Sequence, residues 1–385
     1  MSVPGGGLMT LLAMQLACAC MRPVEAQESV VPGQGGESQL RSAVVGVAVA
    51  PRAGRILAVQ IMVDGLKQAP RLHDYYEEVL VVARELGDHS SLRSSEGELL
   101  WHGSWGDPVV ERLGYSELPS GFWCLAGLTN AGGGWMLQVV APVPATSGGS
   151  LAGASRIRVG AVHLDNHTAR DASEQAKVWS IQSVEMFRWN ETLCLVGSGS
   201  GNVGDGIVGT DLAWWAPIPQ SPPADRVRGD SGYLGLDFDG HAIAYGRDAR
   251  LTVRSDELIA SVRTPRARGQ FEGQAPLEFY RSCDGISWEY LPGASSGCYA
   301  SEGYALASDE GRLFIASVSP IAPHHVILER FEEAEGAWHS DPVLGGGALT
   351  VSDFADPVWM LPAPGAPNHG MRIVSKSADG QLASR

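Results

Sequence analysis

The residues best able to do chemistry are scattered along the chain, and few are spaced for it. Gly199-Ser200-Gly201-Asn202-Val203-Gly204 has the G-x-G-x-x-G spacing and follows a strand-like run. A dinucleotide site needs a helix opening at the last glycine, because the helix N-terminus must face the pyrophosphate. Asp205-Gly206-Ile207-Val208-Gly209-Thr210 follows instead, so a loop between strands is the better reading. His163 and His167 are four apart, but Leu164-Asp165-Asn166 between them reads as a strand end and turn, and no H-E-x-x-H occurs. His324-His325 lies in a Pro-flanked loop. Asp237-Phe238-Asp239-Gly240 alternates carboxylates without an EF-hand continuation. Nothing here predicts a metal site, and no cofactor is called for.

Two further groups carry candidate roles. Trp214 and Trp215 are adjacent, and adjacent strand residues point to opposite faces. At least one ring is therefore expected at the surface, where it would stack on a sugar; both are taken as candidate ligand-binding residues. Cys283 and Cys298 flank Ser287-Trp288-Glu289-Tyr290-Leu291-Pro292-Gly293 and are candidates for a disulfide stapling a strand to its neighbouring loop. Cys124 and Cys194 are the other cysteines beyond the N-terminal segment, four cysteines allow three connectivities, and none has C-x-x-C spacing. Gly229-Asp230-Ser231-Gly232 resembles the nucleophile segment of chymotrypsin-like proteases, but Tyr233 replaces the next glycine. No Ala-Ala-His-Cys precedes it, and a serine nucleophile needs a positioned His and carboxylate.

The elements that must position these residues are short strands. Of 385 residues 48 are Gly and 23 are Pro, which favours tight turns over long helices. Apolar runs of four to eight residues alternate with Gly, Pro, Asp and Asn clusters. The pattern repeats: a strand, a variable loop, then a second strand that often ends in a turn and Trp. Copies begin at Val79, Trp135, Leu193, Leu258, Leu313 and Val358, roughly 45 to 65 residues apart, the size of a four-stranded blade. The expected fold is all-β, a β-propeller of about six blades, with seven as the alternative and a pair of β-sandwiches as the structural rival. The last copy lacks its outermost strand, which Ala43–Val49 is expected to supply from the N-terminus, closing the ring. Asp64-Gly65, Asp205-Gly206, Asp239-Gly240, Asp284-Gly285 and Asp379-Gly380 are read as hairpin turns.

Ser282-Cys283-Asp284-Gly285-Ile286-Ser287-Trp288 resembles the Asp box, or BNR repeat, of sialidase-like propellers. The resemblance implies a hairpin turn between a blade's third and fourth strands. Ser282 and Asp284 would bond the turn backbone, Gly285 would turn the chain and Trp288 would pack beneath. It implies a structural role, away from any active site. The Arg triad, Tyr–Glu pair and Asp of catalytic sialidases find no convincing counterpart: Phe187-Arg188-Trp189-Asn190 lacks the Ile-Pro of the first Arg motif, and Tyr75-Tyr76-Glu77-Glu78 reads as a polar strand entry.

Charge and termini bound the rest. The net charge is −15, so a phosphate backbone would be repelled and nucleic-acid binding is excluded as an expectation. Residues 1–26 read as a signal peptide, with an apolar run from Leu8 to Ala17 and a Val24-Glu25-Ala26 cleavage site; residues 27–42 read as a flexible spacer, and 43–385 as a single domain. A secreted or periplasmic protein is expected. Lipid anchoring through Cys18 or Cys20 is the minority alternative, and no later segment is apolar enough to span a membrane. The expected role is recognition of a glycan or a cell-surface protein, the alternative a sialidase-like glycoside hydrolase on the same fold.

Overall fold

A computed structural model shows an all-β chain. It describes the strands between Ala43 and Ser384, the turns around 190, 246, 255, 283–304 and 332–336, and side chains chiefly from Val162 to Ser375. The expected leader and spacer, with Cys18 and Cys20, lie outside the described residues, as do Gly229–Gly232 and the Asp205-Gly206 and Asp379-Gly380 pairs.

Strands β1 (Ala43–Arg52), β2 (Arg55–Lys67), β3 (Tyr75–Glu85) and β4 (Glu98–Gly106) pair in chain order as one sheet. An eight-stranded sheet follows, again in chain order: β5 (Leu113–Glu117), β6 (Trp123–Asn130), β7 (Trp135–Ala141), β8 (Ser155–Thr168), β9 (Gln175–Trp189), β10 (Thr192–Asn202), β11 (Val208–Pro217) and β12 (Leu234–Tyr245). The third sheet holds β13 (Arg247–Arg254), β14 (Glu257–Arg263), β15 (Ala275–Ser282) and β16 (Glu289–Tyr290); after the single turn α1 (Pro292–Ser295), β17 (Tyr299–Ala300) also pairs with β15. The fourth is β18 (Ala305–Asp309), β19 (Arg312–Val318), β20 (Val326–Glu332) and β21 (Ala337–Ser340). The fifth is β22 (Val358–Pro362), β23 (Met371–Lys376) and β24 (Leu382–Ser384).

Local chemistry explains the hairpins. Asn190 and Glu191 both have positive φ (47° and 62°) and join β9 to β10 in the twist that a two-residue connection favours. Strands β10, β14 and β19 are buried on both faces and accordingly read as continuous apolar runs. In β14, Leu258, Ala260 and Val262 pack with Trp215 and Ala213 of the preceding sheet, while Ile259 packs with Leu313 and Ile315 of the next. Successive sheets thus share cores in chain order. Strands β1, β5, β9, β13, β18 and β22 touch in turn, and β22 returns to β1.

Two expectations are corrected. The N-terminal strand does not complete the last sheet: β1 pairs with β2 from Ala43↔Val63 to Arg52↔Arg55, a local pairing across two intervening residues that costs little loop entropy. The last sheet meets the first through side chains instead, Val374 packing with Val49 and Ala58 beside Trp359 and Leu361. Nor are all Asp-Gly pairs turns. Asp64-Gly65 lies within β2 and Asp239-Gly240 within β12. A Cβ on Gly240 would sit 2.7 Å from the Trp215 carbonyl oxygen and 2.8 Å from Val162 Cγ1, so this glycine permits close packing where β12 runs parallel to β8.

Candidate functional site

The best-defined turn is Ser282–Trp288. Ser282 Oγ donates to Asp284 Oδ1 (2.9 Å) and accepts from the Gly285 N–H (2.8 Å). Asp284 Oδ1 also accepts the N–H groups of Ile286 and Ser287, each at 2.8 Å. These backbone donors and the Ser282 hydroxyl hold the Asp284 carboxyl well below the usual carboxylate range. Gly285 has φ +74°, and its carbonyl accepts from two indoles, Trp215 Nε1 at 2.7 Å and Trp288 Nε1 at 3.1 Å. Trp215 belongs to β11, so the turn is pinned to the neighbouring sheet.

That role explains why Trp214 and Trp215 are not a ligand platform. Their rings do point to opposite faces, but both faces of β11 are covered: Trp214 is 0% exposed among Leu195, Leu212 and Phe238, and Trp215 is 5% exposed beside Trp189 and His241. The expected exposed ring is absent at both positions. The Cys283–Cys298 staple is also absent, since both thiols are free. Cys298 O accepts from the Leu277 N–H at 3.0 Å, near the start of β15, and Cys283 follows the end of that strand. Six residues of strand separate their levels by about 20 Å, against a Cα limit of about 7 Å for a disulfide. Cys298 is instead a buried core thiol, pushed up by desolvation and by Glu329, and Cys194 is a buried free thiol pushed up to about 12. The side chain of Cys124 and those of Tyr75–Glu78 lie outside the described residues.

A polar network occupies the opposite end of the third sheet. Leu258 pairs with Ser282 and Arg263 with Leu277, so the Asp284 turn and Arg263 are about 17 Å apart along β14. Arg250 on β13 is 1% exposed and lies between sheets. Its Nε lies 3.0 Å from Glu185 Oε1 of β9 in an ion pair and donates to the Tyr304 carbonyl (3.2 Å), and its terminal nitrogens donate to the carbonyls of Ala249 and Glu302. Its guanidinium also sits 5.0 Å above the Tyr304 ring. The Tyr304 hydroxyl donates to the Asp248 carbonyl (2.8 Å) and shares a hydrogen bond with Ser261 Oγ (2.9 Å).

Asp248 is the pivot. Its φ is +48°, at a break in register between β13 and β14, and its N–H donates to Ser198 Oγ at 3.0 Å. Arg263 Nη1 lies 2.5 Å from Asp248 Oδ2 and 3.6 Å from Glu302 Oε1, so those two carboxylates are within about 6 Å of each other. The network continues outward: Arg247 donates to Asp211, which accepts from Ser200 Oγ (3.2 Å), which accepts from Gln182 (3.1 Å). Three arginines and four carboxylates therefore converge from β9, β11, β13, β14 and the segment before β18. Sequence reasoning missed all of them, since they come from positions 182 to 304 with no shared motif. The available signal was an arginine inside the apolar run Ala249-Arg250-Leu251, where a charge implies a buried partner. Among the described residues no group of three His, Cys, Asp or Glu is arranged to hold a metal, and no helix is long and apolar enough to cross a membrane.

No family model and no curated protein matches this chain. Among solved structures, it is similar to the GH93 α-L-arabinofuranosidase of Fusarium graminearum in complex with arabinobiose, at 11% identity over 89% of this chain and 92% of that one, with a TM-score of 0.48. It is similar to a Penicillium chrysogenum α-L-arabinanase complexed with arabinobiose, at 10% identity over 89% and 92%, TM-score 0.41. It is also similar to the β-propeller domain of the Trilobed protease from Pyrococcus furiosus, at 11% identity over 87% and 78%, TM-score 0.38. At such identities, and with TM-scores below 0.5, no activity, substrate or residue role passes from these proteins to this chain.

Proposed function

We propose that the chain is an exported six-bladed β-propeller that recognises glycans through the Arg–carboxylate network, with the Ser282–Trp288 turn as a structural Asp box at the far end of the blade. Six blades are supported by the six strands β1, β5, β9, β13, β18 and β22, which touch in turn and return to the first, as innermost strands do. Each begins a run of three or four chain-ordered strands. The observation that carries the binding reading is the convergence of three arginines and four carboxylates, five of the seven on β9, β13 or the entry to β18 and the other two, Asp211 and Arg263, on β11 and β14. Sugar hydroxyls both donate and accept, so alternating guanidinium and carboxylate groups, fixed by packed strands, complement them without a metal or cofactor.

A second reading, glycoside hydrolysis, is favoured by one observation: Asp248 and Glu302 share Arg263 and lie within about 6 Å, near the spacing of paired catalytic carboxylates. A sialidase-type clamp is disfavoured, because Arg247, Arg250 and Arg263 each already hold a carboxylate of the chain.

The test is titration calorimetry of residues 27–385 against a panel of oligosaccharides, with Arg247→Ala and Glu302→Gln beside the parent. Binding weakened about tenfold or more by either change supports the reading. Binding unaffected by both would place the ligand elsewhere. Reducing-sugar release from the bound glycan, lost in Asp248→Asn, would move the protein to the hydrolase reading.

A further inference from the structure

Resting on the glycan-binding reading, we infer that this site takes uncharged oligosaccharides and discriminates against acidic ones. The three guanidinium groups look like an anion clamp, but their burial and partners say otherwise. Arg250 is enclosed, and each of its three nitrogens already has an acceptor of the chain, with Glu185 as its ion-pair partner. It is a tie between sheets. The Arg263 side chain is 10% exposed and holds two carboxylates, Asp248 and Glu302.

What the network presents to a ligand is different. The Glu302 side chain is 64% exposed, Arg247 55%, Glu185 36% and Asp248 21%. Three carboxylates thus accompany one guanidinium, and that guanidinium is itself paired with Asp211. Counted with the buried Arg250 and Arg263 and with Asp211, the network carries four negative and three positive charges, and is net negative within a chain of net charge −15. A uronate or sialate carboxylate entering it would meet like charge at close range, and to reach Arg263 it would have to displace an internal carboxylate. A neutral hydroxyl meets no such opposition: it donates to Glu302, Glu185 or Asp248 and accepts from Arg247.

The experiment is calorimetric titration of residues 27–385 with neutral xylo-, cello- and arabino-oligosaccharides, and with oligogalacturonate and sialyllactose, at low and high salt. The expected result is at least about tenfold tighter binding of a neutral ligand at ~50 mM salt, with the gap shrinking at ~500 mM as screening increases. Glu302→Gln is expected to tighten the acidic ligands themselves by about threefold or more at ~50 mM salt by relieving one like charge, whatever it does to the neutral ones. Acidic ligands binding as tightly as neutral ones, or more tightly, would overturn the inference while leaving glycan binding intact. No binding of either class would overturn the glycan reading itself.

Discussion

A Cβ added to Gly285 would lie 2.6 Å from Trp215 Cζ2 and 2.9 Å from Trp189 Cζ3, and the residue's φ of +74° strains any other side chain. Gly285→Ala is therefore expected to destabilise the fold by about 2–4 kcal/mol, measured by urea denaturation; a change under about 0.5 kcal/mol would contradict the contact. Its neighbour Asp284 gives a pH signature. The folded-state pKa is depressed below the ordinary 3.8, so the carboxylate's contribution is complete above that value and is lost as pH falls towards the folded pKa. Asp284→Asn should flatten the stability profile between about pH 4 and 2 relative to the parent. The thiols differ too. In the native protein a thiol reagent should modify exposed Cys283, whereas Cys194 and Cys298 react only on unfolding; protection of Cys283 until a reductant is added would restore the disulfide. At this scale the Ser282–Trp288 turn was legible because its bonds span two or three residues. The Trp215 partner was not, being 70 residues away in sequence. The same long-range contact buries the ring that adjacency on a strand had suggested was exposed.

At the scale of elements, strand content and repetition were readable from apolar runs and turn residues. The copies starting at Leu193, Leu258 and Leu313 fall on β10, β14 and β19, second strands buried on both faces. The preceding strands β9, β13 and β18 carry polar residues among apolar ones, which blurred them in sequence; β9 and β13 carry much of the network, with Asp211 on β11, Arg263 on β14 and Glu302 before β18. Arg250 shows what such a residue does for an element, joining β13 to Glu185 on β9 and to the segment before β18. Arg250→Met is expected to cost about 2–4 kcal/mol, because four acceptors lose a charged donor while Glu185 keeps some access to solvent. Arg250→Lys should recover only part of it, since an ammonium lacks the planar fork that reaches Glu185 and three carbonyls together. Full recovery with Lys, read by thermal unfolding, would show that charge alone suffices there.

For the whole molecule, the arrangement separates two jobs. One end of the third sheet is tied to its neighbour by a turn, two indoles and a glycine; the other gathers exposed and half-buried charge from β9, β11, β13, β14 and the segment before β18. Ring closure was anticipated, but through strand exchange, whereas the first and last sheets meet by side-chain packing. The direct test of the central claim is amide hydrogen exchange of residues 27–385 with and without a saturating neutral oligosaccharide. Binding at the Arg–carboxylate network predicts slowed exchange in 182–185, 247–250 and 302–304, with 282–288 unchanged. Protection confined to 282–288, or to segments away from both, would contradict it.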